Sequence, residues 1–182
     1  MKNGKNTIVL IGFMGSGKTT IGIRLSYLLK IPVEDTDKLI ERKNGCTISE
    51  IFERQGEEVF REKETQLLRE LAETGFARIL SVGGGTPLRE ENRELLKRCG
   101  TVVYLRVSPE TVFQRLKGDS SRPLLQCEDP LGRIRELLAR RRDQYEACAD
   151  VIIDVDEMTE AECADEIIKE LERNKEKSEK RG

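Results

Sequence analysis

The stretch Thr7-Ile8-Val9-Leu10-Ile11, followed at once by Gly12-Phe13-Met14-Gly15-Ser16-Gly17-Lys18-Thr19, decides the fold. The first five residues form an apolar, largely β-branched run, the composition of a strand buried on both faces. The next eight fit the phosphate-binding spacing G-x-x-x-x-G-K-[ST], and after them Ile21, Leu25, Leu28 and Leu29 recur at helical intervals. Strand, glycine-rich loop and helix thus come in the order that a triphosphate site requires. Several negative charges are held most readily by a ring of backbone N–H donors at a positive helix end. Gly12, Gly15 and Gly17 leave no side chain between those amides and the phosphate oxygens, and Ser16 and Thr20 complete the expected nucleotide-contacting set. Lys18 is expected to reach the β- and γ-phosphates and the Thr19 hydroxyl to ligate Mg²⁺. The competing explanation is a glycine-rich turn that only joins a strand to a helix.

At 182 residues the chain suits a single compact domain. Charged residues make up 36% of it but nearly cancel, to a net −2, without the basic excess that marks nucleic-acid binders. No apolar stretch approaches the ~20 residues that span a bilayer, and the opening residues lead into the strand without a cleavable signal pattern, so a cytoplasmic protein without membrane or nucleic-acid partners is expected. The five cysteines form no C-x-x-C pair and are odd in number, which suits neither a zinc site nor a disulfide framework. There is no histidine, so proton transfer near neutral pH falls to carboxylates, lysines, tyrosines or the substrate.

Further short apolar runs follow at Pro32-Val33-Glu34-Asp35, Ile79-Leu80-Ser81-Val82, Val102-Val103-Tyr104-Leu105 and Val151-Ile152-Ile153. Helical patterns separate them at about 47–74, 90–98, 109–117, 130–147 and 159–173. This alternation predicts an α/β fold, a three-layer α/β/α arrangement around a central parallel sheet of about five strands. The domain should occupy 1–172, and the charged tail 173–182 is expected to fray into solvent.

Ligands of open parallel sheets bind outside the carboxyl ends of the strands, which directs attention to four places. Asp35-Thr36-Asp37 ends the second run; its acids suit metal support and orientation or deprotonation of an alcohol, or equally a helix N-cap. Gly83-Gly84-Gly85 ends the third, as a place of close backbone approach or a tight turn. Arg122-Pro123-Leu124-Leu125 follows the glycine- and serine-bearing segment from Lys117 to Ser121, in the manner of a mobile lid at about 117–127 or an ordinary exposed loop. Arg61 and Arg141 could grip a carboxylate through paired hydrogen bonds, or be solvated helix-face charges.

Taken in order, these motifs resemble those of shikimate kinases over roughly residues 6–171. They comprise Gly-Phe-Met-Gly-Ser-Gly-Lys-Thr at 12–19, Asp-Thr-Asp at 35–37, Ile-Ser-Glu-Ile-Phe at 48–52 with Gly-Glu-Glu-Val-Phe-Arg at 56–61, Gly-Gly-Gly at 83–85, Arg-Pro-Leu-Leu at 122–125, and Arg141 with Tyr145 four residues on. The resemblance implies a fold like that of nucleoside monophosphate kinases with a mobile lid, and transfer of the γ-phosphoryl group of ATP to the 3-hydroxyl of shikimate by a monomeric enzyme. It further implies that Lys18, Asp37 and Arg122 are catalytic, and that Thr19 and Asp35 hold Mg²⁺. Asp37, Arg61, Gly83, Gly84, Gly85 and Arg141 would bind shikimate. Arg115 would pack on the adenine, with Arg122 also on the nucleotide, and Asp154-Val155-Asp156 would form the adenine-side loop. The chain departs from the family in having Asp143-Gln144 where Pro-Leu commonly precedes the late tyrosine. Its three arginines at 140–142 leave the clamp open by one position, and Arg141 is chosen by its spacing to Tyr145. Two other readings share the phosphate loop: a related small-molecule kinase such as one for gluconate, and a nucleotide-binding regulatory module without turnover.

Overall fold

A computed structural model describes residues 7–117 and 127–179. Five strands, β1 (Ile8–Ile11), β2 (Val33–Asp35), β3 (Ile79–Ser81), β4 (Thr101–Arg106) and β5 (Val151–Asp154), form one sheet in the order β2-β3-β1-β4-β5. Every neighbouring pair is parallel, with Ile8 in register with both Ile79 and Thr101. Among the described residues seven α-helices flank the sheet: α1 (Lys18–Leu29), α2 (Thr36–Asn44), α3 (Ile48–Glu73), α4 (Glu90–Cys99), α5 (Pro109–Leu116), α6 (Pro130–Cys148) and α7 (Glu160–Glu179). No helix among the described residues is long and apolar enough to cross a membrane.

The β1 run reads as continuously apolar because both faces of the sheet are covered. Leu10 packs with Ile21, Leu25, Val103, Leu105 and Ile167 on one side. Val9 and Ile11 pack with Ile40, Phe60, Leu68, Leu96 and Tyr104 on the other. Alternate side chains therefore enter two cores, the three-layer arrangement expected of the sequence. The chain fills one side of β1 with β2 and β3 before crossing to β4, so the order reverses at the carboxyl end of β1, where such sheets bind ligands.

The structure departs from the sequence reading in three places. α2 was anticipated only through the alternative reading of Asp35-Thr36-Asp37 as a helix N-cap; among its nine residues only Thr36 and Ile40 are buried, too few to show a period. The expected helix at 47–74 is broken at Gly56, whose φ of 86° and ψ of 167° lie outside the range of other residues. The segment from Arg173, expected to fray, instead continues α7 to Glu179. Arg173 pairs there with Glu170 one turn back and Glu166 two turns back, and Glu and Lys favour a helix.

Candidate active site

The site is built on the carboxyl ends of β1, β2 and β3. After β1, Gly15 and Gly17 take φ values of 76° and 93°, and Gly17 is the N-cap of α1 without a side-chain cap. The first amides of α1 are thereby left to face the loop, as an anion requires. Lys18 Nζ donates to Gly12 O at 2.9 Å and Phe13 O at 3.0 Å, which keeps the ammonium against the loop. Ser16 Oγ is buried without a hydrogen-bond partner among the described residues. Thr19 and Thr20 are exposed at the start of α1.

At the end of β2, Asp35 Oδ1 accepts from Asp37 N at 3.0 Å and Lys38 N at 3.2 Å. The N-cap explanation therefore holds for Asp35, but it occupies only Oδ1 and fixes Asp37 in the first turn of α2. Asp37 Oδ1 is buried with no hydrogen-bond partner among the described residues. Burial first, then the negative charges of Asp35 and Glu64, push the Asp37 carboxyl up from 3.8 to about 6, with Lys18 pulling the other way. No group of three or more His, Cys, Asp or Glu side chains among the described residues could hold a metal. The hard oxygens of Thr19 and Asp35, with an orphaned carboxylate oxygen on Asp37, nonetheless fit Mg²⁺, which is usually held by one or two carboxylates together with substrate phosphates.

The three glycines after β3 form the hub. Each abuts a different functional group; a methyl on Gly83 or Gly85 would intrude, and on Gly84 it would meet its neighbours in ordinary contact. On Gly83 it would lie 2.9 Å from Asp37 Oδ1 and 3.2 Å from Glu64 Oε1. On Gly84 it would lie 3.4 Å from Gly12 O, 3.6 Å from the Tyr145 hydroxyl and 3.9 Å from Arg141 Nη1. On Gly85 it would lie 2.7 Å from both terminal nitrogens of Arg61. Gly83 and Gly84 are not in the left-handed region, and Gly85 has φ −90°, so close approach rather than a special backbone angle explains Gly83 and Gly85.

Arg61 is held from its own helix, by Glu57 at 3.0 Å and by Glu64 at 2.6 Å. Arg141 lies 5.5 Å from the centroid of the buried Phe13 ring, a cation–π contact that aims it at the loop. Its neighbours point away: Arg140 pairs with Glu136 at 2.6 Å and Arg142 with Glu146 at 2.8 Å, both well exposed. Of the three, Arg141 is the one set beside Phe13 and Gly84. Tyr145, fully buried, donates to Gly84 O at 2.6 Å. Burial raises its phenol against the pull of Arg141, so the proton stays available for that bond. Arg115 donates to Gly15 O at 3.1 Å and Val155 O at 2.9 Å, tying the phosphate loop to the segment after β5. Arg122 and the lid residues 118–126 lie outside the described residues.

Sequence reasoning missed Glu64, which is 2% exposed and joins Arg61 to Thr86, and Thr36, whose hydroxyl accepts from Gly83 N at 3.2 Å. Only the three-residue spacing of Arg61 and Glu64 hinted at the first.

The family model described as Shikimate kinase matches residues 14–172. A shikimate kinase of Cupriavidus pinatubonensis is 44% identical over 173 residues, covering 94% of this chain and 89% of that protein. One from Thermodesulfovibrio yellowstonii is also 44% identical, covering 95% and 96%. Among solved structures, shikimate kinase from Acinetobacter baumannii in complex with shikimate superposes with a TM-score of 0.85 at 40% identity, covering 95% of this chain and 96% of that one. A gluconokinase from Sinorhizobium meliloti, at 17% identity and a TM-score of 0.62, shares the fold alone. With the family model spanning most of the chain and relatives above 40% identity along nearly its whole length, this chain belongs to the shikimate kinase family.

Proposed function

We propose that the chain transfers the γ-phosphoryl group of ATP to the 3-hydroxyl of shikimate, giving shikimate 3-phosphate and ADP. The observation that carries this reading is the convergence of two guanidiniums, Arg61 and Arg141, and one carboxylate, Asp37, on a single glycine hub that also touches the phosphate loop through Gly12 O. A small acid with hydroxyl groups suits that arrangement. Its carboxylate pairs with the arginines, and its reacting hydroxyl lies towards Asp37 and the phosphates.

The loop amides and Lys18 hold the triphosphate, and Arg115 lies on the side of the purine base. Mg²⁺, when bound through Thr19 and Asp35, neutralises charge on the β- and γ-phosphates. Asp37 orients the acceptor hydroxyl and takes its proton as the hydroxyl oxygen bonds to the γ-phosphorus and the bond to the bridging oxygen of ADP breaks. Its carboxyl at about 6 is mostly ionised at neutral pH yet basic enough to share that proton. Phosphoryl transfer has a loose transition state, so positioning and charge neutralisation carry most of the catalysis and no histidine is needed. Arg122 is assigned to the lid and to the transferring phosphoryl group.

A coupled assay of ADP release with Mg²⁺ and ATP, comparing shikimate, gluconate and a nucleoside monophosphate at equal concentrations, tests the reading. Turnover with shikimate alone is expected. Turnover with gluconate instead would overturn the substrate assignment, and none with any acceptor would favour a nucleotide-binding module without catalysis.

A further inference from the structure

The glycine hub rests on a ring of buried polar groups that reaches back to α4. Asn92, 0% exposed, donates from Nδ2 to Thr86 O at 3.0 Å and accepts at Oδ1 from Thr65 Oγ1 at 2.8 Å. Thr86 directly follows Gly85, and its hydroxyl donates to Glu64 Oε1. Glu64 Oε2 accepts from Arg61 Nη1 at 2.6 Å. On the other branch, the single Thr65 proton is shared between Asn92 Oδ1 and the Arg61 carbonyl, 3.0 Å away. Both branches from Asn92 therefore end on Arg61, one on its guanidinium and the other on its backbone.

Thr65, Thr86 and Glu64 are each 3% exposed or less, so none can turn to water if a neighbour is lost. Packing alone would be served as well by apolar side chains of similar volume, and often with greater stability. What a polar ring adds is direction. It fixes which face of Glu64 meets Arg61 and holds Gly85 against the guanidinium. We propose that Asn92, remote from the reacting atoms, is a positioning residue for the acid-binding guanidinium of Arg61, acting through Thr86 and Glu64. The proposal rests on the reading of Arg61 as a binder of the substrate carboxylate.

The test is steady-state kinetics on the full chain with both substrates varied, together with calorimetric titration of shikimate. Asn92→Ala should raise the KM and Kd for shikimate about tenfold, the effect of one lost buried hydrogen bond, and leave the KM for ATP within about twofold. Should that variant not fold, Thr86→Val keeps the volume and removes only the hydroxyl. It should shift shikimate in the same direction, while Thr86→Ser, which restores the hydroxyl, should stay within about twofold of wild type. Unchanged shikimate constants in Asn92→Ala and Thr86→Val would overturn the proposal. So would a parallel rise in both KM values, the signature of general loosening. Wild-type protein that fails to phosphorylate shikimate would refute the substrate reading instead, and the same comparison would then be made with the acid it does accept.

Discussion

In an Asp37→Asn variant, a carboxylate disfavoured by burial, Asp35 and Glu64 gives way to a neutral amide of the same shape. Below pH 3.8 the carboxyl is protonated in both folded and unfolded chains, so the substitution should change stability little there. Between 3.8 and about 6 the unfolded chain ionises while the folded one resists, and the wild type loses stability as pH rises through that window. At about 1.4 kcal/mol per pH unit, the span from 3.8 to about 6 sets a ceiling of about 3 kcal/mol on the gain from removing the charge. Asp37 is only partly buried, and solvent screening lowers the expected gain to about 1–2 kcal/mol. For a domain of this size that amounts to about 4 °C in Tm. Turnover should fall by about a hundredfold or more, as for loss of a general base, while the KM for ATP stays within about twofold. Thermal melts at pH 4 and pH 7.5, run beside the ADP-release assay, check both halves. Equal stabilisation at the two pH values, or none at pH 7.5, would refute the electrostatic reasoning, and full activity would refute the catalytic role.

Arg61→Ala should raise the KM for shikimate by about ten- to a hundredfold in steady-state assays, and Arg61→Lys should not restore it, because one ammonium cannot reproduce a paired guanidinium. In an alanine scan of positions 140–142, only Arg141→Ala should weaken shikimate binding; Arg140→Ala and Arg142→Ala remove exposed pairs and should cost less than about 1 kcal/mol by urea denaturation. Gly85→Ala places a methyl against the movable end of Arg61, so the protein should melt within a few degrees of wild type while shikimate KM rises about tenfold.

Much of the fold was legible because its determinants are local. Every strand but the short Val-Glu-Asp of β2 announced itself as an apolar run, and the helices from α4 onward began close to where the period placed them. α2 was hidden by its polarity, and the Gly56 break by a periodicity that continues across it. The motif residues were legible for the same reason, since each motif is contiguous. Their partners were not: Thr86 lies 22 residues from Glu64, and Tyr145 lies 61 residues from the carbonyl it meets.

From the sequence alone came the phosphate loop with its flanking strand and helix, the parallel α/β architecture, and the acids, glycines and arginines that the chemistry needs. These follow from spacing, backbone freedom and side-chain type, all properties of short stretches of chain. The tertiary structure alone decided that Arg140 and Arg142 turn to partners on their own helix, that Gly83 and Gly85 lie tight against Asp37 and Arg61, and that a buried carboxylate and a buried asparagine stand behind Arg61. Those outcomes depend on how α3, α4 and α6 pack over the sheet, which fixes the direction of side chains distant in sequence.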